Sequence, residues 1–118
     1  DFVDGLKYVL NPVNGSQTAG IVTSQIKGAA AYYAAEKAEA GSGDFATVGI
    51  KAVDKYTVEY TTVGVMPYFL SCLTYTPYLP VNGAFLATEG TDFGSNENEL
   101  LVNGAYRMTK HIRNNMFC

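Results

Sequence analysis

The spacing of hydrophobic and polar positions predicts helices in the first third of the chain. Residues 2–10 place apolar side chains at helical intervals, and Asn11–Pro12 should end this helix because the residue before a proline is pushed out of the helical region. Residues 18–40 are rich in alanine, the best helix former, and two glycines favour a break near Lys27–Gly28. The Gly41–Asp44 segment should stop this second helical region.

Alternation of β-forming residues predicts a hairpin in the middle of the chain. Residues 48–53 and 56–61 are typical of two strands, and Asp54–Lys55 would form a two-residue tip between them. Residues 105–110 alternate in the same way and predict a further strand of the same antiparallel sheet. Another strand is expected to begin at residues 116–118.

The segment after the hairpin predicts a second, shorter helical region. A helix over 67–74 should begin at Pro67, because proline is favoured at the first helical position. Residues 76–81 should be extended, because each of two prolines restricts its predecessor. Asn82 is a suitable cap for a helix over 83–89. The fold class predicted is α+β, with a small antiparallel sheet packed against several helices in one lobe that covers residues 1–118.

Composition narrows the possible functions without choosing one. The 118 residues are the size of one domain, and the formal net charge of −3 argues against a surface that neutralises nucleic-acid phosphates. Two long stretches lack charged residues, but polar residues interrupt the first and prolines interrupt the second, so no transmembrane helix is expected. Two distant cysteines make no disulfide framework, and Cys72 lies in an apolar segment typical of a buried thiol.

The residues that could carry chemistry are few. His111 is the single histidine, and it has no cysteine or carboxylate at metal-ligand spacing, so a surface position at the end of a strand is expected. No Gly-x-Ser-x-Gly motif, phosphate-binding loop or dinucleotide-binding glycine pattern occurs. The sequence therefore predicts no catalytic residues, no metal site and no cofactor. A small enzyme is the least favoured class of function.

Five segments, taken in order, resemble one family of proteins. Residues 48–60, VGIKAVDKYTVEY, are similar to the hairpin motif G-v-k-A-v-D-d-y-T-v-e-v of the oligopeptide- and dipeptide-binding proteins of ABC importers. The match covers almost the whole chain, and its order makes it specific. The other similar segments are residues 1–12, 66–70 (MPYFL), 78–82 (YLPVN) and 101–108 (LVNGAYRM).

The resemblance implies a fold and a function. This family's members are large extracytoplasmic solute-binding proteins, so the chain would be an internal piece corresponding to their small accessory lobe. The implied function is non-catalytic delivery of oligopeptides to an ABC permease. The implied location is the cell surface, as a membrane-anchored lipoprotein, or the periplasm. The implied partners are an oligopeptide, bound through the full-length protein, and the permease, with no nucleic acid.

Ligand contacts from such a lobe are expected in the segment after the first helix. In relatives an aromatic residue there commonly reaches the ligand, but residues 20–25 contain none. Val22 and Gln25 are therefore the candidate ligand-binding residues. The alternative function is a stand-alone interaction or adhesion module that reuses the lobe. An exposed patch would favour that alternative, and its members would be Tyr32, Tyr33, Tyr75 and Tyr78.

Overall fold

A computed structural model describes residues 1–112 in full and the backbone of residues 116 and 117. Its internal contacts divide the chain into two compact units, Asp1–Val81 and Asn82–Cys118. The α+β class is confirmed, because the first unit combines helices with a two-stranded antiparallel sheet. The prediction that residues 1–118 form a single lobe stays a prediction.

Helix α1, Phe2–Val9, begins the first unit. Asp1 occupies its N-cap position, and the nitrogen of Asp1 donates to Asp4 Oδ2 at 2.7 Å. Leu6 and Leu10 are completely buried and attach the helix to the core. The helix ends before Asn11, whose side chain accepts a hydrogen bond from the Val13 amide, as the Asn-Pro signal predicts.

The alanine-rich region forms two helices, α2 at Ala19–Gln25 and α3 at Ala29–Ala38. The predicted break is confirmed at Gly28, which has a left-handed φ of 76°. A side chain at this position would also collide with the backbone, because its Cβ would lie 2.2 Å from the carbonyl oxygen of Thr47. The turn between the helices therefore requires glycine.

Strands β1, Ile50–Ala52, and β2, Val58–Tyr60, form the predicted antiparallel hairpin. Its tip has three residues, so the two-residue tip was a wrong prediction. The Val53 amide donates to the Thr57 carbonyl at 2.9 Å, and this bond closes the pairing above the tip. The Asp54 side chain accepts from the Tyr56 amide at 2.7 Å, and this local bond stabilises the longer turn.

Three backbone segments meet at the base of the hairpin in a closed ring of hydrogen bonds. The Lys27 amide donates to the Thr61 carbonyl at 2.9 Å, and the Thr61 amide donates to the Gly49 carbonyl at 2.7 Å. The Gly49 amide closes the ring by donating to the Lys27 carbonyl, again at 2.7 Å. A Cβ on Gly49 would lie 2.4 Å from the Thr61 carbonyl oxygen. The ring joins the link between α2 and α3 to both strands.

The segment after the hairpin differs from the prediction in two places. Helix α4 covers only Phe69–Cys72, because the Phe69 amide bonds to the Met66 carbonyl and Pro67 lies in a turn before the helix. Residues Thr76–Tyr78 form a 3₁₀ turn and are not extended. Proline tolerates the first positions of such a turn because its fixed φ suits them.

The second unit contains helix α5, Gly83–Glu89, capped as predicted by Asn82, whose side chain accepts from the Phe85 amide at 2.9 Å. The strand predicted at 105–110 is wrong, since these residues have no strand partner. Alternation alone does not make a strand without a neighbour to complete its hydrogen bonds. Strand β3, His111–Ile112, pairs instead with β4, Met116–Phe117. Cys118, expected to continue this last strand, lies outside the described residues.

Among the residues whose burial the structure describes, the hydrophobic core lies within the first unit. It joins α1, α2 and α3 to the hairpin and to the segment after it. Cys72 belongs to it as a buried free thiol, as predicted. Its buried members are Leu6, Leu10, Val22, Ile26, Ala29, Tyr32, Val48, Ile50, Cys72 and Tyr78.

Candidate functional site

The two candidate ligand-binding residues lie three positions apart on α2, so they share one face of this helix. Val22 is 0% exposed and packs inside the core, where it presents no surface to a ligand. Gln25 is half-buried at the end of the helix. No bound ligand tests either residue, and their role stays a prediction.

The Gln25 side chain connects three segments that are far apart in sequence. Its Oε1 accepts a hydrogen bond from the Tyr78 hydroxyl at 2.7 Å. Its Nε2 lies 3.4 Å from the Cys72 sulfur and donates to it. The oxygen and the nitrogen of the side-chain amide are therefore both paired, and Gln25 holds the 3₁₀ turn at Thr76–Tyr78 against α2.

Tyr78 belongs to a cluster of three aromatic rings, which we name the aromatic triad: Tyr60, Phe69 and Tyr78. Each pair meets edge to face, with ring centroids 5.7, 6.2 and 5.9 Å apart. This geometry is the favourable one for aromatic pairs. Burial, followed by the nearby Cys72 and Tyr60, raises the pKa of Tyr78 to about 12. Burial also raises the pKa of Tyr60. Both hydroxyls therefore stay protonated at neutral pH.

Tyr60 and Tyr78 of the triad line a cavity of about 260 Å³, which we name the aromatic groove. No lining side chain carries a charge at neutral pH, so the groove can accept an apolar or aromatic group. Phe2 and Tyr56 are exposed at its rim. The groove is lined by Phe2, Tyr56, Val58, Tyr60, Leu73 and Tyr78.

A second cavity of about 570 Å³ lies beside the hairpin, and we name it the basic cleft. Its charged lining residues are Lys27, Lys51 and Glu59. Phe45 and the backbone of Gly49 contribute further lining. This cleft can hold a polar ligand, in contrast to the aromatic groove.

The four tyrosines of the alternative hypothesis do not form one exposed patch. Tyr32 and Tyr78 are buried, and Tyr33 is half-buried. Only Tyr75 is largely exposed. Such a covered set does not favour a stand-alone interaction module.

The described part of the chain contains no cluster of three or more histidine, cysteine or acidic side chains that could hold a metal ion. His111 was expected at the surface at the end of a 105–110 strand, but it begins β3 and is half-buried, because its amide donates to a Glu97 carboxylate oxygen at 3.0 Å. Backbone hydrogen bonds, including that from His111, lower the pKa of Glu97. No helix among the described residues is long and apolar enough to cross a membrane.

Sequence reasoning missed the aromatic triad and its bond to Gln25. Tyr78 and Gln25 are separated by 53 positions. Neither periodicity nor a motif links residues at that distance. The family resemblance indicated the α2 segment as a region of ligand contact. It did not indicate that Tyr78 is hydrogen-bonded to Gln25 in that segment.

Comparison with curated proteins places the chain beside oligopeptide-binding proteins. It is 37% identical over 108 residues to "Oligopeptide-binding protein AmiA" of Streptococcus pneumoniae, a match to 90% of this chain and 15% of the relative. It is 32% identical over 110 residues to "Oligopeptide-binding protein OppA" of Bacillus subtilis, covering 92% of this chain and 19% of the relative. The chain thus spans less than a fifth of either relative. No family model matches.

The chain also superposes on solved structures of an oligopeptide ABC transporter and of a peptide-binding receptor. The substrate-binding domain of an oligopeptide ABC transporter from Bacillus anthracis superposes with a TM-score of 0.79 and 29% identity, covering 92% of this chain and 20% of that one. The pheromone receptor PrgZ superposes with a TM-score of 0.77 and 28% identity, covering 95% and 21%.

These matches define a class, that of substrate-binding components of ABC transporters. Within that class, the chain is homologous to one segment of the oligopeptide-binding proteins. The resemblance seen in the sequence motifs is therefore confirmed. A further relative is named for another ligand, "Probable deoxycholate-binding periplasmic protein YgiS" of Escherichia coli, 30% identical over 115 residues and matching 97% of this chain and 20% of the relative.

Proposed function

We propose that this chain is part of an extracytoplasmic protein that binds oligopeptides and delivers them to an ABC permease without catalysis. The observation that carries the proposal is the 37% identity to an oligopeptide-binding protein over 90% of this chain. The fold supports the proposal through its superposition on the substrate-binding domain of an oligopeptide ABC transporter and on the peptide-binding pheromone receptor PrgZ, with TM-scores of 0.79 and 0.77.

The role proposed for this segment is to support the ligand site of the whole protein. A core that completely buries Leu6, Leu10 and Val22 suits a rigid support. Gln25 is the predicted ligand residue whose side chain is still half exposed, and it also fixes Tyr78. Val22 would act through packing beneath it.

The location and the permease partner follow from the same proposal. A solute-binding protein meets its ligand outside the cytoplasm, so we propose a periplasmic protein or a membrane-anchored lipoprotein on the cell surface. Closure of lobes around a ligand is a known way to couple capture to a partner. Residues 1–118 would then form one lobe of a larger protein.

The natural gene product provides the test. An antibody raised against this chain would capture that product from fractionated cells, and the captured protein would be incubated with a synthetic mixture of random hexapeptides. Mass spectrometry would identify the peptides that co-elute. We expect capture from the extracytoplasmic fraction and retention of peptides well above a non-immune antibody control.

AmiA captured in the same way serves as the positive control. A native product that retains no hexapeptide, while AmiA does, would contradict the proposal. Binding of deoxycholate in place of peptides would also contradict it, and would assign the ligand class suggested by the YgiS relative.

A further inference from the structure

We propose that the basic cleft binds the carboxylate of a peptide, as a site separate from the aromatic groove. The inference rests on the proposed peptide-binding function and deepens it, because it assigns a charge preference. The cleft encloses about 570 Å³, within the roughly 300–1,000 Å³ typical of small-ligand sites.

The walls of the cleft are held by backbone hydrogen bonds and by close packing. Lys27 and Gly49 both belong to the closed backbone ring at the base of the hairpin. Gly49 cannot be replaced without a collision with Thr61, so the backbone lies unusually close here. Phe45 packs edge to face against Tyr32, with ring centroids 5.2 Å apart. The lysines at the cleft therefore extend from an ordered backbone.

The cleft has a local excess of positive charge, whereas the chain as a whole is negatively charged. Lys27 and Lys51 line it, and the Lys7 ammonium lies 5.8 Å from the centre of the Phe45 ring, another lining residue. Glu59, opposite Lys51 in the hairpin register, is the single acidic lining residue. Two of the three charged lining residues are therefore cationic, in a chain whose net charge is −3.

None of these four ionic side chains forms an ion pair with another described residue. An anionic ligand would therefore meet cationic groups that have no competing carboxylate within ion-pair distance. A single carboxylate matches this local surplus of positive charge, whereas Glu59 and the acidic chain disfavour a polyanion.

The peptide carboxylate has two possible sources, the C-terminus and an acidic side chain. The chain contains no tryptophan, so tryptophan emission from a peptide reports binding directly. Three probes separate the sources: acetyl-Trp-Asp-Ala-amide, acetyl-Trp-Asn-Ala with a free C-terminus, and acetyl-Trp-Asn-Ala-amide as the neutral control. We expect at least one acidic probe to bind the 118-residue chain about fivefold or more tightly than the neutral one, and this preference to weaken as salt rises from about 20 to 300 mM.

Matched variants locate the site. Lys27→Gln with Lys51→Gln should weaken binding of the preferred acidic probe by about three- to tenfold. Lys37→Gln with Lys55→Gln removes the same charge from exposed positions outside the cleft lining and should leave binding unchanged. Dispersed amide signals in the ¹⁵N spectrum of each variant confirm that it is folded, and the Lys27 and Gly49 signals should shift with the probe.

Equal affinity for acidic and neutral probes would overturn the inference, as would equal losses in the two double variants. Absence of binding by every probe would overturn it as well. None of these results affects hexapeptide retention by the natural gene product, so the proposed function and this inference can fail separately.

Discussion

The two units of the chain are stabilised in different ways. Of the side chains that the structure describes, all the buried hydrophobic ones of the core belong to residues 1–81. Among residues 82–112 no side chain is buried, and the contacts there include the Asn82 cap and the edge-to-face pair of Phe85 and Phe93. Sequence similarity nevertheless extends over both units, since it covers 90% of the chain.

Sequence similarity to relatives that covers both units therefore does not show that the two units are equally stable. The first unit can hold its shape through buried area and the backbone ring, because burial of apolar surface is the main favourable term in folding. The second unit depends on local hydrogen bonds, each of which contributes only about 0.5–1.5 kcal/mol. Substitutions should therefore have unequal effects in the two units.

The largest effect is expected at Gly28. Gly28→Ala should lower the free energy of unfolding by more than about 4 kcal/mol, because the left-handed backbone and the collision with Thr47 both oppose a side chain. Gly20→Ala is the matched control, since a Cβ there meets nothing within 4 Å, and it should stabilise α2 by about 0.5–1 kcal/mol. Urea unfolding of both variants checks this. Equal midpoints would show that the turn is not fixed as described.

A pair of leucine truncations compares the two units directly. Leu10→Ala should cost about 3 kcal/mol, because it leaves a cavity in the core of the first unit. Leu101→Ala should change stability by less than about 0.5 kcal/mol, because Leu101 is 56% exposed. Thermal unfolding of the two variants measures the difference. Similar losses would mean that the second unit has a core of its own.

The bond between Tyr78 and Gln25 should contribute less than the core. Tyr78→Phe removes the donor at 2.7 Å and leaves Gln25 Oε1 without it, so we expect a loss of about 1–2 kcal/mol. Tyr75→Phe, at a largely exposed tyrosine, should have almost no effect. A denaturant titration that gives equal losses for the two variants would argue against this bond.

Alkaline pH should weaken the first unit through the same tyrosine. The pKa of Tyr78 is raised from 10.0 to about 12 in the folded chain, so its stabilising contribution is complete below pH 10 and is lost as pH rises towards 12. Unfolding midpoints measured across this window should fall, and Tyr78→Phe should reduce the fall. An unchanged pH dependence in the variant would exclude Tyr78 as its source.

Removal of the α5 cap is expected to have a small effect that is confined to the second unit. Asn82→Ala removes the acceptor for the Phe85 amide and should cost about 1 kcal/mol, confined to α5. Hydrogen exchange checks this at single residues. The Leu86 amide should exchange faster in the variant, and the Gly49 amide should not. Faster exchange at both would show that the two units unfold together.

The sequence alone predicted features that depend on neighbouring residues. The break at Gly28, the end of α1 at Asn11 and the cap at Asn82 all follow from local backbone preferences. Predictions failed where the structure of a segment depends on a residue far away in the sequence. Residues 105–110 alternate as a strand would, but no neighbouring strand pairs with them. The 3₁₀ turn at Thr76–Tyr78 is another case, because Gln25, 53 positions before Tyr78, helps to hold it.

The candidate site was predictable only in part, for the same reason. The motifs led to the family and to the α2 segment. They could not show that Val22 points into the core, because a buried and a ligand-facing valine look alike in a sequence. The excess of positive charge at the basic cleft was also not predictable from the sequence, since Lys27 and Lys51 come together only through folding.

A chimera tests the central claim, that this chain supports oligopeptide binding within a larger protein. The 108-residue segment of AmiA that matches would be replaced by the corresponding residues of this chain, and binding of the random hexapeptide mixture would be measured. We predict a folded chimera whose peptide affinity lies within about tenfold of that of AmiA. A chimera with native-like circular dichroism and cooperative melting, but no retained peptide, would contradict the account.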